Sequence, residues 1–328
     1  MLVAPGTEHD SAPVRNGFFG GLDSAPSIPA NLPAFRRSGR PIRRGESALK
    51  PAPFAYAKAR SVDHAAALLA EHHGEAKLLA GGQSLIATLN MRLSSPSLLV
   101  DINHIPGLDG LRVGNGVVEI GALTRHVTLE RSAEIARHAP LVALAMPHIA
   151  HPAIRNRGTI GGSIVFADPA AELPACLVAL GGEVDIAGPD GARTVAAQDF
   201  FKGLFETALG PHDVLTAVRF PAAGAATRVG FAELARRHGD YAMVGLAAVA
   251  QAGVAGLTDV RLVYFGVGAT PVRTRKAEAA LAGGSIDAAV QALDLDPPDD
   301  IQATGAVKKH LAGVLLRRVA AQLSGSRQ

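Results

Sequence analysis

Two glycine-rich turns carry the residues best suited to bind a ligand. The first is Gly81-Gly-Gln-Ser84 and the second is Gly158-Thr-Ile-Gly-Gly-Ser163, about 80 residues further on. Adjacent glycines let backbone N–H groups approach a pyrophosphate with no Cβ in the way, and Ser or Gln adds a neutral donor. One such turn is typical of an ordinary tight turn, whereas two indicate a clamp on one diphosphate. Neither contains the lysine of a P-loop, and neither matches the fingerprint G-x-G-x-x-G.

The chain has one cysteine, Cys176, which lies in an apolar run. One thiol cannot form an internal disulfide, and it cannot hold an iron–sulfur cluster, which takes about four thiolates. We interpret Cys176 as a buried, inert residue and expect a reducing, cytoplasmic setting. His148 and His151 have no third ligand nearby in the sequence, so we predict no metal site there.

The charge of the chain is concentrated near its N-terminus. The 328 residues carry a formal net charge of +3. Residues 1–50 hold seven Lys or Arg against four Asp or Glu, which leaves 25 of each sign in the remainder. A neutral body gives no support for nucleic-acid binding. No stretch approaches the roughly 20 apolar residues of a membrane span, and no apolar segment of an export signal follows the Arg pairs near residues 36 and 44.

Composition divides the chain into three parts. Residues 1–48 are rich in Gly, Pro, Ser and Arg and lack periodicity, so we expect them to be disordered or not a natural part of the protein. We expect residues 49–222 to form a first domain and residues 223–328 a second. The small residues at 222–227 are typical of a flexible boundary between the two.

Local patterns predict the elements around the two turns. A helix capped by Ser61 is expected to run to His73, and a short strand at 77–80 leads into the first turn. A longer apolar helix is predicted from His138 to His151, another from about 170 to 180, and a hairpin over 183–196. The remaining predicted elements are strands near 98–102, 117–120, 214–220, 229–234, 244–250 and 260–267, and helices near 85–93, 124–129, 276–282 and 304–323.

Several longer motifs resemble the flavoprotein subunit of the xanthine dehydrogenase/carbon monoxide dehydrogenase family. The most specific is Ile154-Arg-Asn-Arg-Gly-Thr-Ile-Gly-Gly-Ser163, with Ala167-Asp-Pro-Ala-Ala-Glu-Leu-Pro174 behind it. The resemblance runs in order from about Leu49 to about Arg318, with no large insertion or gap. The other matching segments are Leu79-Ala-Gly-Gly-Gln-Ser-Leu85, Val100-Asp-Ile102, Ile120-Gly-Ala122, and residues 199–207, 235–242 and 310–317.

The resemblance implies an α+β fold: a two-subdomain FAD-binding domain of the vanillyl-alcohol-oxidase/PCMH type, followed by a smaller α+β C-terminal domain that covers the flavin. The first loop is then expected to bind the pyrophosphate, and the second to grip the diphosphate and ribityl region from the opposite side. Ile149 falls where relatives place an apolar or aromatic residue near the isoalloxazine, and Leu215 where a backbone group meets the adenine or flavin edge. The expected cofactor-binding residues are Ala80, Gly81, Gly82, Gln83, Ser84, Ile149, Thr159, Ile160, Gly161, Gly162, Ser163, Glu172 and Leu215.

Two positions depart from the family's pattern. Where many relatives have Asp after the second loop this chain has Glu172, and where some have a flavin-contacting Lys it has Glu233. An acid in place of a cation puts a direct contact in doubt, and its charge disfavours an anionic reduced flavin. Two interpretations of Arg155 and Arg157 remain open, since they either face the phosphates or lie in a solvated loop.

In the family that the sequence resembles, the substrate is hydroxylated at a molybdenum centre in another subunit, and electrons pass through [2Fe–2S] clusters in a small subunit to FAD. The resemblance therefore implies an electron-transfer subunit with FAD in this chain and an external acceptor. Its implied partners are an iron–sulfur small subunit and a molybdopterin-binding large subunit, as a dimer of heterotrimers. Two alternatives remain open: a stand-alone FAD-dependent oxidase or dehydrogenase of the same fold, and a flavin-free assembly or scaffold subunit.

The family resemblance begins at Leu49, where relatives typically start with Met-Lys-Pro. A TTG leucine codon can serve as a bacterial initiator and is then read as Met. We therefore expect residues 1–48 to reflect an error in the assigned start of the gene. The alternative is a genuine disordered extension that docks a partner.

Overall fold

The computed structural model describes residues 50–254 and 256–325. The expectations for residues 1–48 fall outside this part of the chain. The described residues form four β-sheets, with helices packed between and against them. None of their helices is both long enough and apolar enough to cross a lipid bilayer.

A three-stranded parallel sheet comes first in the chain. Its strands, arranged β1-β3-β2, are β1 (Ala55–Lys58), β2 (Ala76–Leu79) and β3 (Leu98–Asp101). Helix α1 (Val62–Glu71) connects β1 to β2, and helix α2 (Leu85–Asn90) connects β2 to β3. Ser61 caps α1 as predicted, because its side chain accepts a hydrogen bond from the backbone N–H of His64. The first glycine turn lies between the carboxyl end of β2 and the start of α2.

A five-stranded antiparallel sheet follows. Its strands, arranged β4-β5-β10-β6-β7, are β4 (Leu111–Gly114), β5 (Val117–Gly121), β6 (Glu183–Gly188), β7 (Gly191–Ala196) and β10 (Val214–Pro221). The predicted hairpin is confirmed as β6 and β7. Between β7 and β10 lie helix α9 (Ala197–Phe200) and a two-stranded pair, β8 (Phe201–Gly203) and β9 (Glu206–Thr207).

Short helices connect β5 to β6 and carry the second glycine turn. They are α3 (His126–Arg131), α4 (Ala133–His138), α5 (Pro140–Ala145), a 3-10 helix (Met146–His148), α6 (Pro152–Arg155), α7 (Ile160–Phe166) and α8 (Glu172–Ala179). All eight residues of α8 are buried, which is typical of a helix enclosed on every side. The second turn leads directly into α7.

The predicted single helix from His138 to His151 is wrong. The segment instead contains α5 and the 3-10 helix, and α6 begins directly after it. Each of these three helices has a proline at its first or second position. Proline lacks a backbone N–H, so it can begin a helix but interrupts one that should continue through it. As a result His148 and His151 do not share a helix.

The C-terminal third forms a four-stranded antiparallel sheet covered by helices. Its strands, arranged in chain order, are β11 (Thr227–Leu234), β12 (Val244–Gly253), β13 (Gly256–Phe265) and β14 (Val272–Arg273). Its helices are α10 (Arg275–Ala282), α11 (Ile286–Gln291) and α12 (Gly305–Leu323). One face of the sheet packs on these helices, and the other faces the core that contains α8. Both faces are therefore dry, and residues 244–250 of β12 are buried without interruption.

Replacing Leu316 by Ala should lower the free energy of unfolding by about 2–5 kcal/mol, because the side chain is fully buried between α12 and the four-stranded sheet. Leu144→Ala is the matched control, since that leucine is 44% exposed. Denaturant unfolding of both variants measures the difference. Equal losses of stability would show that the core beneath α12 is not packed as described.

Candidate cofactor site

The two glycine turns line one cavity of about 780 Å³, within the size range of small-molecule sites. Twelve of the thirteen residues expected to bind a cofactor belong to its lining, namely Ala80, Gly81, Gly82, Gln83, Ser84, Ile149, Thr159, Gly161, Gly162, Ser163, Glu172 and Leu215. The exception is Ile160, whose side chain is buried in the core next to the cavity. The structure therefore brings together residues that are up to 135 positions apart, from Ala80 to Leu215.

The two turns are in direct backbone contact. A Cβ atom on Gly81 would lie 2.3 Å from the carbonyl oxygen of Arg157, just before the second turn. A Cβ on Gly161 would lie 2.6 Å from the Cβ of Ala122. Both distances are far too short for real atoms, so only glycine permits this approach. Gly82 has a φ of +74°, a left-handed conformation that other residues rarely adopt.

The backbone amides of the two turns differ in whether they already have acceptors. In the second turn every amide from Ile160 to Ser163 is engaged, by the carbonyls of Thr124, Ala122 and Thr159 and by the hydroxyl of Thr159. In the first turn the amides of residues 81–84 have no acceptor among the residues that the structure describes. Gly81 is buried and residues 82–84 are partly exposed. A buried donor is nearly always paired, and consecutive free donors at the wall of a cavity indicate a site for an anionic ligand.

Asn103 and Arg125 hold the first turn against the second. The Asn103 amide donates to the carbonyls of Ala80 and Leu79, at 2.9 and 3.2 Å. Arg125 donates to the Asn103 side-chain oxygen at 2.7 Å and also to the carbonyl of Arg157. Neither residue was predicted from the sequence, because each acts on backbone atoms remote along the chain.

Arg155 fixes the segment that presents Ile149 to the cavity. Its guanidinium donates to the carbonyls of Ile149 and Ala150, at 2.9 and 3.0 Å, and forms a two-pronged ion pair with Glu130. Ala150 has a φ of +47°, an unfavourable conformation for alanine that these bonds help to maintain. Both sequence interpretations of Arg155 are therefore wrong, since it is buried and paired. Arg157 is exposed.

The remaining predicted residues lie around these two turns. Thr159 caps α7 by accepting a hydrogen bond from the amide of Gly162 at 3.1 Å. The side-chain amide of Gln83 turns back to the carbonyl of Gly81 at 3.0 Å, which stiffens the first turn. Leu215 lies on β10, where the strand pairing is irregular between Leu215 and Ala217.

Burial shifts the pKa values of three ionisable groups in the cavity lining. Glu172, the first residue of α8, is 8% exposed, and its burial and then the charge of Glu233 raise the pKa of its carboxyl to about 8. Burial also raises the pKa of Asp168. His126 is buried beside the second turn, and this burial lowers its pKa to about 4, so the ring is neutral. At neutral pH burial therefore favours the protonated carboxyl of Glu172 and the neutral ring of His126 in the cavity wall.

Aromatic residues at the mouth of the cavity were not predicted. Phe205 comes from the β8–β9 connection, packs on Phe166 with ring centroids 5.1 Å apart, and is 52% exposed. Tyr241 is 61% exposed and lies with Gly239 and Asp240 in the connection between β11 and β12. A Cβ on Gly239 would lie 2.8 Å from the carbonyl oxygen of Ala150, so this connection packs against the segment that follows Ile149. The C-terminal third thus contributes part of the cavity wall.

Among residues 50–254 and 256–325 no group of three His, Cys, Asp or Glu side chains is arranged to hold a metal ion. Cys176 is buried in α8, and burial followed by the charges of Glu172 and Glu233 raises the pKa of its thiol. A thiol with a raised pKa is a poor nucleophile and a poor metal ligand.

Two family models match consecutive parts of the chain. Residues 52–223 match the FAD-binding domain in molybdopterin dehydrogenase, and residues 230–323 match the CO dehydrogenase flavoprotein C-terminal domain.

Curated relatives match most of the chain. It is 41% identical over 259 residues to the 6-hydroxypseudooxynicotine dehydrogenase complex subunit alpha of Paenarthrobacter nicotinovorans. The matched region covers 76% of this chain and 88% of the relative. The chain is 35% identical over 277 residues to the carbon monoxide dehydrogenase medium chain of Hydrogenophaga pseudoflava, with 82% and 96% covered.

Solved structures give the same result. A carbon monoxide dehydrogenase structure from Hydrogenophaga pseudoflava superimposes with a TM-score of 0.82 at 36% identity, over 85% of this chain and 99% of that chain. Quinoline 2-oxidoreductase from Pseudomonas putida 86 gives 0.80 at 32%, with 84% and 99% covered. The expected α+β fold and family resemblance are confirmed. The chain therefore belongs to the FAD-binding medium subunits of the molybdenum hydroxylases and is an oxidoreductase subunit.

Proposed function

We propose that this chain binds one FAD non-covalently and passes electrons from the iron–sulfur clusters of a partner subunit to an external acceptor. The observation that carries the proposal is the row of four free amides at residues 81–84 beside a cavity of suitable size. A pyrophosphate offers several anionic acceptors, and backbone donors held in a fixed turn need no reorganisation to meet them.

The side chains around the cavity fit the rest of such a cofactor. Ile149 and Leu215 supply apolar surface, and Ser163 supplies a hydroxyl at the second turn. FAD, when bound, accepts electrons singly and can release them as a pair, which suits a position between clusters and acceptor. The chain's own contribution is to bind the cofactor, to orient it and to restrict water at the buried wall.

We assign the iron–sulfur clusters and the molybdenum cofactor to other subunits. A cluster takes about four thiolates, and Cys176 is the chain's single cysteine. The relatives are themselves named as a medium chain and as a subunit of a complex. We propose an iron–sulfur small subunit and a molybdopterin-binding large subunit as partners, in a dimer of heterotrimers located in the cytoplasm.

Replacing Gly81 by Ala should weaken FAD binding at least about tenfold. The new methyl group would collide with the Arg157 carbonyl and push the two turns apart, which displaces the four free amides. Gly114→Ala is the matched control, because a Cβ there meets nothing within 4 Å. Fluorescence titration of the apo-protein with FAD gives both dissociation constants. Equal affinities in the two variants would contradict the assignment of the first turn.

The isolated chain loaded with FAD should not oxidise substrates of the kinds its relatives are named for, such as nicotine, caffeine, carbon monoxide and glyceraldehyde. The physical reason is that the chain has one cysteine, too few for a cluster, and that its described residues contain no group of three His, Cys, Asp or Glu side chains arranged to hold a metal ion. Steady-state assays of the isolated chain, and of the complex purified from its host, provide the comparison. Turnover by the chain alone would support a stand-alone oxidase instead.

A further inference from the structure

Each free amide of the first turn shares a peptide unit with the carbonyl of the preceding residue. The unit is planar and trans, so its N–H and its C=O point in opposite directions. A donor that binds the carbonyl therefore also fixes the direction of the amide. Three of these carbonyls have a donor among the described residues, those of Ala80, Gly81 and Gly82.

The three carbonyls receive their donors from different places. That of Gly82 accepts the first backbone bond of α2 at 3.0 Å, and that of Gly81 accepts from the side chain of Gln83 at 3.0 Å. Both of these donors are close in sequence. The carbonyl of Ala80 accepts from Nδ2 of Asn103 at 2.9 Å, across 23 positions of the chain. The direction of the Gly81 amide therefore depends on a residue outside the turn.

The side-chain amide of Asn103 is held in one orientation. Its oxygen accepts from Arg125 at 2.7 Å, and its Nδ2 donates to Oδ1 of Asp101 at 2.7 Å. A guanidinium only donates and an ionised carboxylate only accepts, so a flipped amide would place two donors, and two acceptors, against each other. Asn103 therefore presents its nitrogen, and not its oxygen, to the carbonyl of Ala80.

Asp101 fixes Asn103 from the end of β3. The residue is 8% exposed, and its Oδ1 also accepts from the backbone amide of Asn103 at 2.8 Å. Its Oδ2 accepts from the hydroxyl of Tyr56. Asp101 and Asn103 both lie outside the cavity lining. They can act on a ligand in the cavity only through the backbone of the first turn.

The direction of a backbone amide decides how strongly it binds an anion. A hydrogen bond prefers a donor angle above about 150° and weakens steeply below about 120°. Glycine restricts the rotation of its own peptide units less than other residues do. A donor on the carbonyl side therefore matters most where glycines are adjacent, as Gly81 and Gly82 are.

We propose that Asp101 and Asn103 are positioning residues for the diphosphate of FAD. Asn103 holds the carbonyl of Ala80 so that the amide of Gly81 points into the cavity, and Asp101 holds Asn103. This inference rests on the proposed function and deepens it, because it assigns part of the recognition of the diphosphate to two residues that the ligand does not touch. Their effect is on the diphosphate and not on the flavin ring.

The test compares Asn103→Ala with a matched control in the full chain. Gln322→Ala is the control, because its side-chain amide also bonds to a distant backbone unit, at Phe231, which lies outside the cavity lining. Fluorescence titration gives the dissociation constants for FAD. We expect Asn103→Ala to bind FAD about tenfold more weakly, the effect of one misdirected hydrogen bond to a charged group, and Gln322→Ala to bind like the natural chain.

Phosphorus-31 NMR of the FAD-loaded chain separates a positioning role from a general loss of packing. In Asn103→Ala the diphosphate resonances should shift towards those of free FAD, while the visible absorption of the flavin stays as in the natural chain. Asp101→Asn keeps an oxygen that can accept from Asn103, so it should retain the natural resonances.

Unchanged affinity and unchanged phosphorus resonances in Asn103→Ala would overturn the inference and leave the proposed function standing. An equal loss of affinity in Gln322→Ala would overturn it as well, since the effect would then not be specific to the turn. If Asn103→Ala does not fold, Tyr56→Phe replaces it, because this half-exposed residue loses only its bond to Asp101. It should shift the same resonances by a smaller amount, and no shift would overturn the inference.

The natural chain provides the separate test of the proposed function. Its failure to hold FAD, both alone and in the complex purified from its host, would overturn that function instead.

Discussion

The backbone of Gly81 approaches the carbonyl of Arg157 so closely that no side chain fits between them, and the site depends on this contact. It joins the parallel sheet, through the first turn, to the helices that precede α7. Asn103 and Arg125 reinforce it from behind, since both bond to backbone atoms of the two turns. A displacement of one turn relative to the other would change the cavity and the direction of the free amides together.

The two turns look alike in sequence, but they differ in whether their backbone amides already have hydrogen-bond acceptors. The second turn is saturated by Thr124, Ala122 and Thr159, so it serves as a rigid wall that starts α7 in a fixed direction. The first turn keeps its donors free and is therefore the part that can bind an anionic group. Burial of α8 also affects the cavity wall, because this burial, and then the charge of Glu233, raise the pKa of Glu172 to about 8.

Local chemistry made much of the fold predictable, and distant contacts account for the errors. The cap at Ser61 and the hairpin over 183–196 depend on neighbouring residues, so both were predicted correctly. Strands β1 and β4 were missed because they are four residues long and only partly buried. The helix predicted from His138 to His151 ran through prolines 140 and 147, whose effect on helix continuity was underestimated.

In the candidate site, too, features set by neighbouring residues were predicted, and features set by distant contacts were not. Glycine pairs are recognisable in a sequence, so the two turns were identified, and the family motifs indicated Ile149 and Leu215. The functions of Arg155 and Asn103 lie in bonds to carbonyl groups, which leave no pattern in a single sequence. Tyr241 reaches the cavity from the C-terminal third, a proximity that only the packing of β11 and β12 establishes.

Hydrogen–deuterium exchange of the chain with and without FAD measures directly which turn binds the cofactor through its backbone amides. The amides of residues 81–84 have no acceptor within the described residues, so they should exchange quickly in the apo-protein and become strongly protected when FAD binds. The amides of residues 160–163 already have acceptors and should be protected in both states. Protection by FAD at residues 160–163, with none at residues 81–84, would contradict the account.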